Sequence, residues 1–312
     1  SFTIIDTVAP EITTLATNLT VQCDAIQNSA SLKGWLNTNA GAVASDMCSD
    51  VVWSNNFVNL PEACVGTGSV LVVFTATDQC GNSSTTEATF TIIDTISPVW
   101  VRQPSNLVIE CDGSVDPYER IAAWLASAGG GHAQDQCSFV GYTNDFVEII
   151  GSCGLTGSAL VTFTATDSCG NTQTAQATVT VVDRTAPVIN TPARDTIVEC
   201  DGLGNVAELA NWISNNGGAI ASDVCSGVES WEFRRIDTLD NCGLTKVLRY
   251  GFTAIDSCGN RSLETVASFV AQDTTRPVIT LEAQNDSVQC NGAGNLGTLE
   301  AWLARNGGAQ AT

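Results

Sequence analysis

Histidine and methionine each occur once in these 312 residues, and lysine occurs only as Lys33 and Lys246. Each scarcity excludes something. The one histidine, His132, stands in "GGHA" where the corresponding stretches read "GAVA", "GAIA" and "GAQA", so it reads as a surface substitution rather than a general base. No G-x-S-x-G, H-E-x-x-H or phosphate-cradling glycine loop occurs. The two lysines occupy unrelated positions, which removes a lysine-based crosslink repeated along the chain. The cysteines come no closer than 16 residues, whereas zinc sites favour close pairs such as C-x-x-C. There is no apolar run long enough for a membrane span and no segment patterned as a signal peptide. Basic residues number 12 against 33 acidic ones, and the net charge of −21 argues against nucleic acid and anionic membrane surfaces as partners. Only 14% of residues are charged, too few for a disordered acidic tail.

What the chain has in abundance is repetition. "FTATDQCGN" recurs as "FTATDSCGN" and "FTAIDSCGN", and the Asp opening a D-x-x-x-P phrase stands at 6, 94, 183 and 273, at intervals of 88, 89 and 90. The first cysteine of each unit, at 23, 111, 200 and 290, keeps the same intervals. A period near 90 residues suits one small domain per unit and exceeds most solenoid repeats. The expected organisation is residues 1–5 as the tail of a preceding unit, whole units at 6–93, 94–182 and 183–272, and the start of another at 273–312. On this reading the chain is a window on a longer array.

Cysteines follow the same phase: 23, 48, 64, 80, then 111, 137, 153, 169, then 200, 225, 242, 258, and Cys290. Four per unit at steady spacing indicate two disulfides per domain in an oxidising compartment. Strand direction suggests the pairing. If "NLTVQC" runs away from the Asp–Pro junction, Cys23 lies at the far end of the unit; a returning helix then brings Cys48 to the near end. The next strands carry Cys64 to the far end and Cys80 back to the near one. The expected bonds are Cys23–Cys64 and Cys48–Cys80, with Cys111–Cys153, Cys137–Cys169, Cys200–Cys242 and Cys225–Cys258 as equivalents. The partner of Cys290 is expected to lie past residue 312.

"VLVVFTATD", "EATFTII", "ALVTFTATD" and "QATVTVV" alternate and are rich in β-branched residues, as half-buried strands are. "CGN" between them is hairpin chemistry. One helical pattern recurs in "SLKGWLNTNAG", "YERIAAWLASAGG", "AELANWISNNGG" and "GTLEAWLARNGG", with apolar residues at helical spacing and a glycine stop; in the second unit these are Ile121, Trp124 and Leu125. Trp35, Trp124, Trp212 and Trp302 are expected to plug the open face of a sandwich rather than to stack sugars. Trp53 and Trp231 read as structural; Trp100, which is unphased, is expected to be exposed.

Of 20 aspartates, 13 hold repeat-phased positions, a placement that solvation alone does not require. Three per unit should gather at its near end: Asp6, Asp46 and Asp78; Asp94, Asp135 and Asp167; Asp183, Asp223 and Asp256; and Asp273 opens the last unit. Clustered carboxylates repel unless neutralised, and Ca2+, a hard ion taking six to eight oxygens, would do so and stiffen the junction. The competing reading is that an aspartate before a turn caps its own backbone, which accounts for one or two of the three. Asp24, Asp112 and Asp201, replaced by Asn291 in the last unit, lie at the opposite end and are read as solvated or as additions to the neighbouring site.

D-T-x-x-P, then D-x-C, then F-T-A-T-D-x-C-G-N, resembles the hyalin-repeat-like, immunoglobulin-like modules found in tandem in bacterial surface adhesins and secreted proteins. The four-cysteine form common among Bacteroidota is the most similar. The junction phrase with A-T-D-x-x-G-N is also similar to the calcium-binding linkers of cadherin-type repeats, although the cadherin acidic motifs are not reproduced. The resemblance spans the whole units and implies an all-β fold of tandem immunoglobulin-like sandwiches with a stalk or adhesive role and no enzymatic activity. Combined with the residues, it gives sandwiches of about 90 residues, each with one short inserted helix and two disulfides. The expected function is a structural segment of an extracellular fibre or cell-surface stalk, partnered by neighbouring repeats or identical chains. The alternative is an adhesin that binds a ligand or carbohydrate through the variable stretches "NNFVNLPEA", "TNDFVEIIGS" and "FRRIDTLDN", the last carrying the basic pair Arg234 and Arg235. The sequons at Asn18, Asn82, Asn260 and Asn285 share no repeat position and are read as chance.

Overall fold

Alternating side chains in the long strands give each one an apolar and a polar face, and the architecture follows from burying the first. A computed structural model describes residues 1–24, 27–241 and 243–312. The chain divides into two units, residues 1–185 with 224–226, and residues 186–223 with 227–312. The fold is an all-β sandwich repeated along the chain, with one short helix in each repeat.

In the first unit, Leu19–Gln22, Ser83–Ile93, Gly68–Thr77 and Val52–Asn55 form one four-stranded sheet, in that order across it. Leu19–Gln22 runs parallel to Ser83–Ile93, while the other pairs are antiparallel. Glu11–Thr14 and Val43–Ser45 form a separate two-stranded sheet. The plan recurs in Leu107–Glu110, Thr172–Val182, Gly157–Thr166 and Gly141–Asn144, with the pair Val99–Arg102 and His132–Gln134. In the second unit, Thr196–Glu199, Thr265–Gln272, Lys246–Asp256 and Val228–Asp240 form the equivalent sheet, beside the pair Val188–Thr191 and Ile220–Ser222.

The helices Asn28–Asn37, Pro117–Ala126 and Val206–Ser214 each lay a tryptophan on their sheet. Trp124 meets Phe163 edge-on at 5.1 Å, and its Nε1 donates to Ser105 O at 2.9 Å. Trp35 contacts Phe74 and Phe90, and Trp212 contacts Phe252 and Phe269. All three act as core plugs. Ile121 is buried alongside Trp124, with Leu125 packed at the margin. After the second helix the chain turns through Gly129, at φ +66°, where a Cβ would come within 3.1 Å of the Phe163 ring.

Trp100 departs from expectation. It is buried, packed on Tyr142 at 5.6 Å and facing Gly131, because the two-stranded sheet turns it inward to the same core as Ala133 and Phe163.

The disulfides also depart from expectation. Cys23 bonds Cys137 and Cys64 bonds Cys169, with Cα atoms 6.0 and 5.4 Å apart; Cys111 bonds Cys225 at 5.8 Å. Cys153 and Cys258 are also disulfide-bonded. The pairings Cys23–Cys64, Cys48–Cys80, Cys111–Cys153, Cys137–Cys169 and Cys225–Cys258 therefore do not form. Cys48, Cys80, Cys200 and Cys290 are free, and Cys242 lies outside the described residues. Each end holds the cysteines that strand direction puts there: Cys23 Sγ lies 3.5 Å from the Gly66 carbonyl in the Cys64 loop, and Gln79 N donates to Ser49 Oγ, joining the Cys48 and Cys80 loops. What the strand count leaves out is that the far end of the first repeat abuts the near end of the second. Cys137 packs on the first repeat's core, and Gly66 lies against the Cys137 carbonyl.

Candidate metal centre at the repeat junction

The near ends of the first and second repeats are each built from three short turns, each closed by an aspartate. In the hairpin after Gly68–Thr77, Asp78 accepts from Asn82 N at 2.9 Å and from Asn82 Nδ2 at 2.8 Å. Burial by itself would raise the Asp78 carboxyl, but these bonds and that from Gly81 N bring it below the ordinary aspartate range. Asn82 Nδ2 also donates to the Asp6 carbonyl at 3.2 Å, tying the junction to the hairpin. Asn171 repeats this between Asp167 and the Asp94 carbonyl, and Asp256 accepts from Asn260 in the same way. Asp78, Asp167 and Asp256 are thus buried turn caps with their oxygens engaged. The asparagine of "CGN" is the residue that sequence reasoning passed over, having assigned it only a turn preference; Gly81 alone takes the positive φ there, at 92°.

Asp46 caps its own loop, one oxygen accepting from Cys48 N and Ser49 N at 2.8 and 3.0 Å, and Asp135 does likewise for Cys137 N and Ser138 N. The junction aspartates differ. Asp94 Oδ1 accepts from Ile96 N at 3.1 Å and Gln22 Nε2 at 3.2 Å, while Asp94 Oδ2 is buried with no hydrogen-bond partner. Asp6 Oδ1 accepts from Val8 N, and its Oδ2 is likewise buried and unpartnered.

Ligand atoms of Asp94, Asp135 and Cys137 lie within 4.8 Å of one another, as do those of Asp6, Asp46 and Cys48. Asp167 stays outside this close group, but its charge reaches it. Burial first, then the neighbouring carboxylates of Asp135 and Asp167, push the Asp94 carboxyl above the ordinary aspartate range, against the bonds from Ile96 N and Gln22. Cys48 is raised too, first by the Asp6 charge and then by burial.

A cation would answer this electrostatic arrangement, and the donor set tests which kind. At Asp94 and Asp135 the available atoms are carboxylate oxygens, because Cys137 is locked in a disulfide; at Asp6 and Asp46 the Cys48 thiol is free, but the Asp6 charge and burial hold it above the ordinary thiol range and keep it from offering a thiolate. Hard oxygen donors suit Ca2+ rather than zinc. Asp94 and Asp135 would hold the ion in one junction, Asp6 and Asp46 in the other, with turn carbonyls and water completing its shell. Neutralising two adjacent charges is the chemistry the ion would supply.

The remaining candidates are placed as follows. Asp183 accepts from Thr185 N at 3.0 Å and Ser226 Oγ at 2.8 Å, and Asp273 from Thr275 N at 3.0 Å. Asp223 is half-buried beside Ile220–Ser222. Asp112 and Asp201 cap turns, the first held low by Ser114 and the second by the backbone N–H groups of Asn205 and Leu203; Asp24 accepts from Gln27 N. None of these three joins the junction groups. His132 is exposed, 3.5 Å from Tyr142 Oη. Among the described residues no helix is long and apolar enough to cross a membrane.

No protein-family model matches the chain, and no curated protein matches it. Among solved structures it is similar to the protocadherin gammaB7 EC3-6 cis-dimer, at 14% identity over 84% of this chain and 77% of that one, with a TM-score of 0.30. It is similar to Drosophila N-cadherin EC1-4 at 12% identity over 85% and 76%, TM-score 0.31. It is also similar to immunoglobulin domains 1-5 of Sidekick-1 at 14% identity over 85% and 59%, TM-score 0.29. At these identities the similarity concerns the fold alone.

Proposed function

We propose that this chain is a structural segment of an extracellular fibre or cell-surface stalk, of the hyalin-repeat-like bacterial kind. Immunoglobulin-like repeats at 6–93, 94–182 and 183–272 are the bodies, and acidic junctions holding Ca2+ stiffen the joints between them. One observation carries the reading. The same device, two adjacent carboxylates with one oxygen buried and unpartnered, is built at Asp6 with Asp46 and again at Asp94 with Asp135. A catalytic centre is needed once; a joint is needed at every repeat. An ion bound by the folded state alone adds stability by mass action.

The test is metal content and thermal unfolding of the full chain, with calcium and then with excess chelator. At least one bound calcium per junction, and a melting temperature that drops on chelation, is the expected result. No bound metal and an unchanged melting temperature would return the aspartates to turn capping.

The ligand-binding adhesin has one observation in its favour. The hairpin Val228–Asp240 with Lys246–Asp256 is far longer than its counterpart Val52–Asn55 with Gly68–Thr77, and it exposes Phe233 and Leu239. Arg234, however, is engaged with Glu264. Saturable glycan binding abolished by shortening this hairpin would favour that reading over the stalk.

A further inference from the structure

Three disulfides, Cys23–Cys137, Cys64–Cys169 and Cys111–Cys225, overlap along the sequence; the first and third each span 114 residues and share the segment 111–137. Every peptide bond between Cys23 and Cys225 is therefore bridged by at least one of them. Every one between Cys64 and Cys169 is bridged by two or three. Disulfides closed within each repeat would do neither, because the links between repeats would then be backbone alone.

We infer that the disulfides form a second covalent connection running alongside the backbone, so that a single cut does not part the chain and complete unfolding does not pay it out. The magnitudes are large. From Cys23 to Cys225 the backbone passes through roughly 200 residues, about 700 Å at full extension. The route across Cys23–Cys137, back to Cys111 and across to Cys225 passes through roughly 25 residues, about 90 Å. An unfolded but oxidised segment is thus held to a small fraction of the reach its sequence would allow. Outside a cell, where proteases nick exposed loops, such a chain keeps its length and its attachment after local damage. This inference rests on the pairing of the cysteines and is independent of calcium, so it can fail while the stalk reading stands, and the reverse.

A single cut between two repeats tests it. Lys33→Arg and Lys246→Arg remove the native lysines, and Arg102→Lys, at an exposed position, installs one. A lysine-specific protease, used in denaturant on thiol-blocked and unreduced protein, then cuts once, after position 102. The product should keep its full mass until reductant is added, then separate into residues 1–102 and 103–312. Adding Cys23→Ser alone, or Cys64→Ser alone, should leave it whole, since the other bond still spans the cut. Both together should let the fragments part without reductant. Separation of the parent without reductant would overturn the inference, and so would a double variant that stays joined. The parent and single variants decide the matter even if the double variant folds poorly.

Discussion

Asp94 sets its two oxygens to different tasks. Oδ1 closes the junction turn by accepting from Ile96 N, while Oδ2 sits buried with nothing to accept from. Without a cation this costs stability when the carboxyl ionises, and the sign of the pH dependence follows. Burial and the charges of Asp135 and Asp167 raise this carboxyl in the folded chain above its unfolded value. Its favourable contribution is then complete below the ordinary aspartate range and is lost as pH rises through the raised value. In chelator, the melting temperature should fall across that window, and Asp94→Asn should flatten the fall and raise the neutral-pH melting temperature by about 2–4 °C. In calcium the same variant should melt below the wild type. A variant that matched the wild type in both conditions would show Asp94 to be only a turn cap. The phasing of this residue was legible in the sequence; its difference from Asp78 and Asp167 was not, because capping and ion binding draw on the same residue type and are separated only by which oxygens find donors.

Each helix holds its sheet through one tryptophan. Trp124 places its ring edge on Phe163 and its Nε1 on Ser105 O, in a core with Ile121, Val161 and Val179. Trp124→Ala removes the largest of these groups from the core and should cost about 3–5 kcal/mol. Denaturant unfolding would register this as a lower midpoint at unchanged slope. A loss below about 1 kcal/mol would mean that the ring is dispensable to the core. Helix, hairpin and long strands were all legible, because 3.6-residue and two-residue periods and "CGN" are local signals. Trp100 was not. It lies on a three-residue ladder beside Ala133, too short for alternation to declare which way it faces.

The joining of repeats was the least legible feature. Strand direction placed Cys23 with Cys64 at one end and Cys48 with Cys80 at the other, as the structure has them. Proximity within a repeat then points to bonds inside it. Cysteine spacing is equally regular whether pairs close within a repeat or between successive ones, since a shift of one full period leaves the pattern unchanged. Only the abutting of Cys137 on the first repeat's core distinguishes the two.

The parallel pairing of each repeat's Leu19–Gln22-type strand with its last long strand has a mechanical consequence once the disulfides are reduced. Load then travels through the backbone, drawing Leu19–Gln22 toward the near end and Ser83–Ile93 toward the far end. The ladder from Leu19↔Phe90 to Gln22↔Ile93, with Cys23 N bonded to Ile93 O at 2.7 Å, is loaded in shear. All its hydrogen bonds strain together, unlike a hairpin pulled from its open end, which unzips one bond at a time. Reduced chains pulled singly should therefore show a separate rupture peak for each repeat, with about 300 Å of slack released at each; a smooth, featureless extension would show that the parallel strands bear no load. Reduction would leave a chain that stretches stepwise, absorbing work at each rupture like a shock absorber.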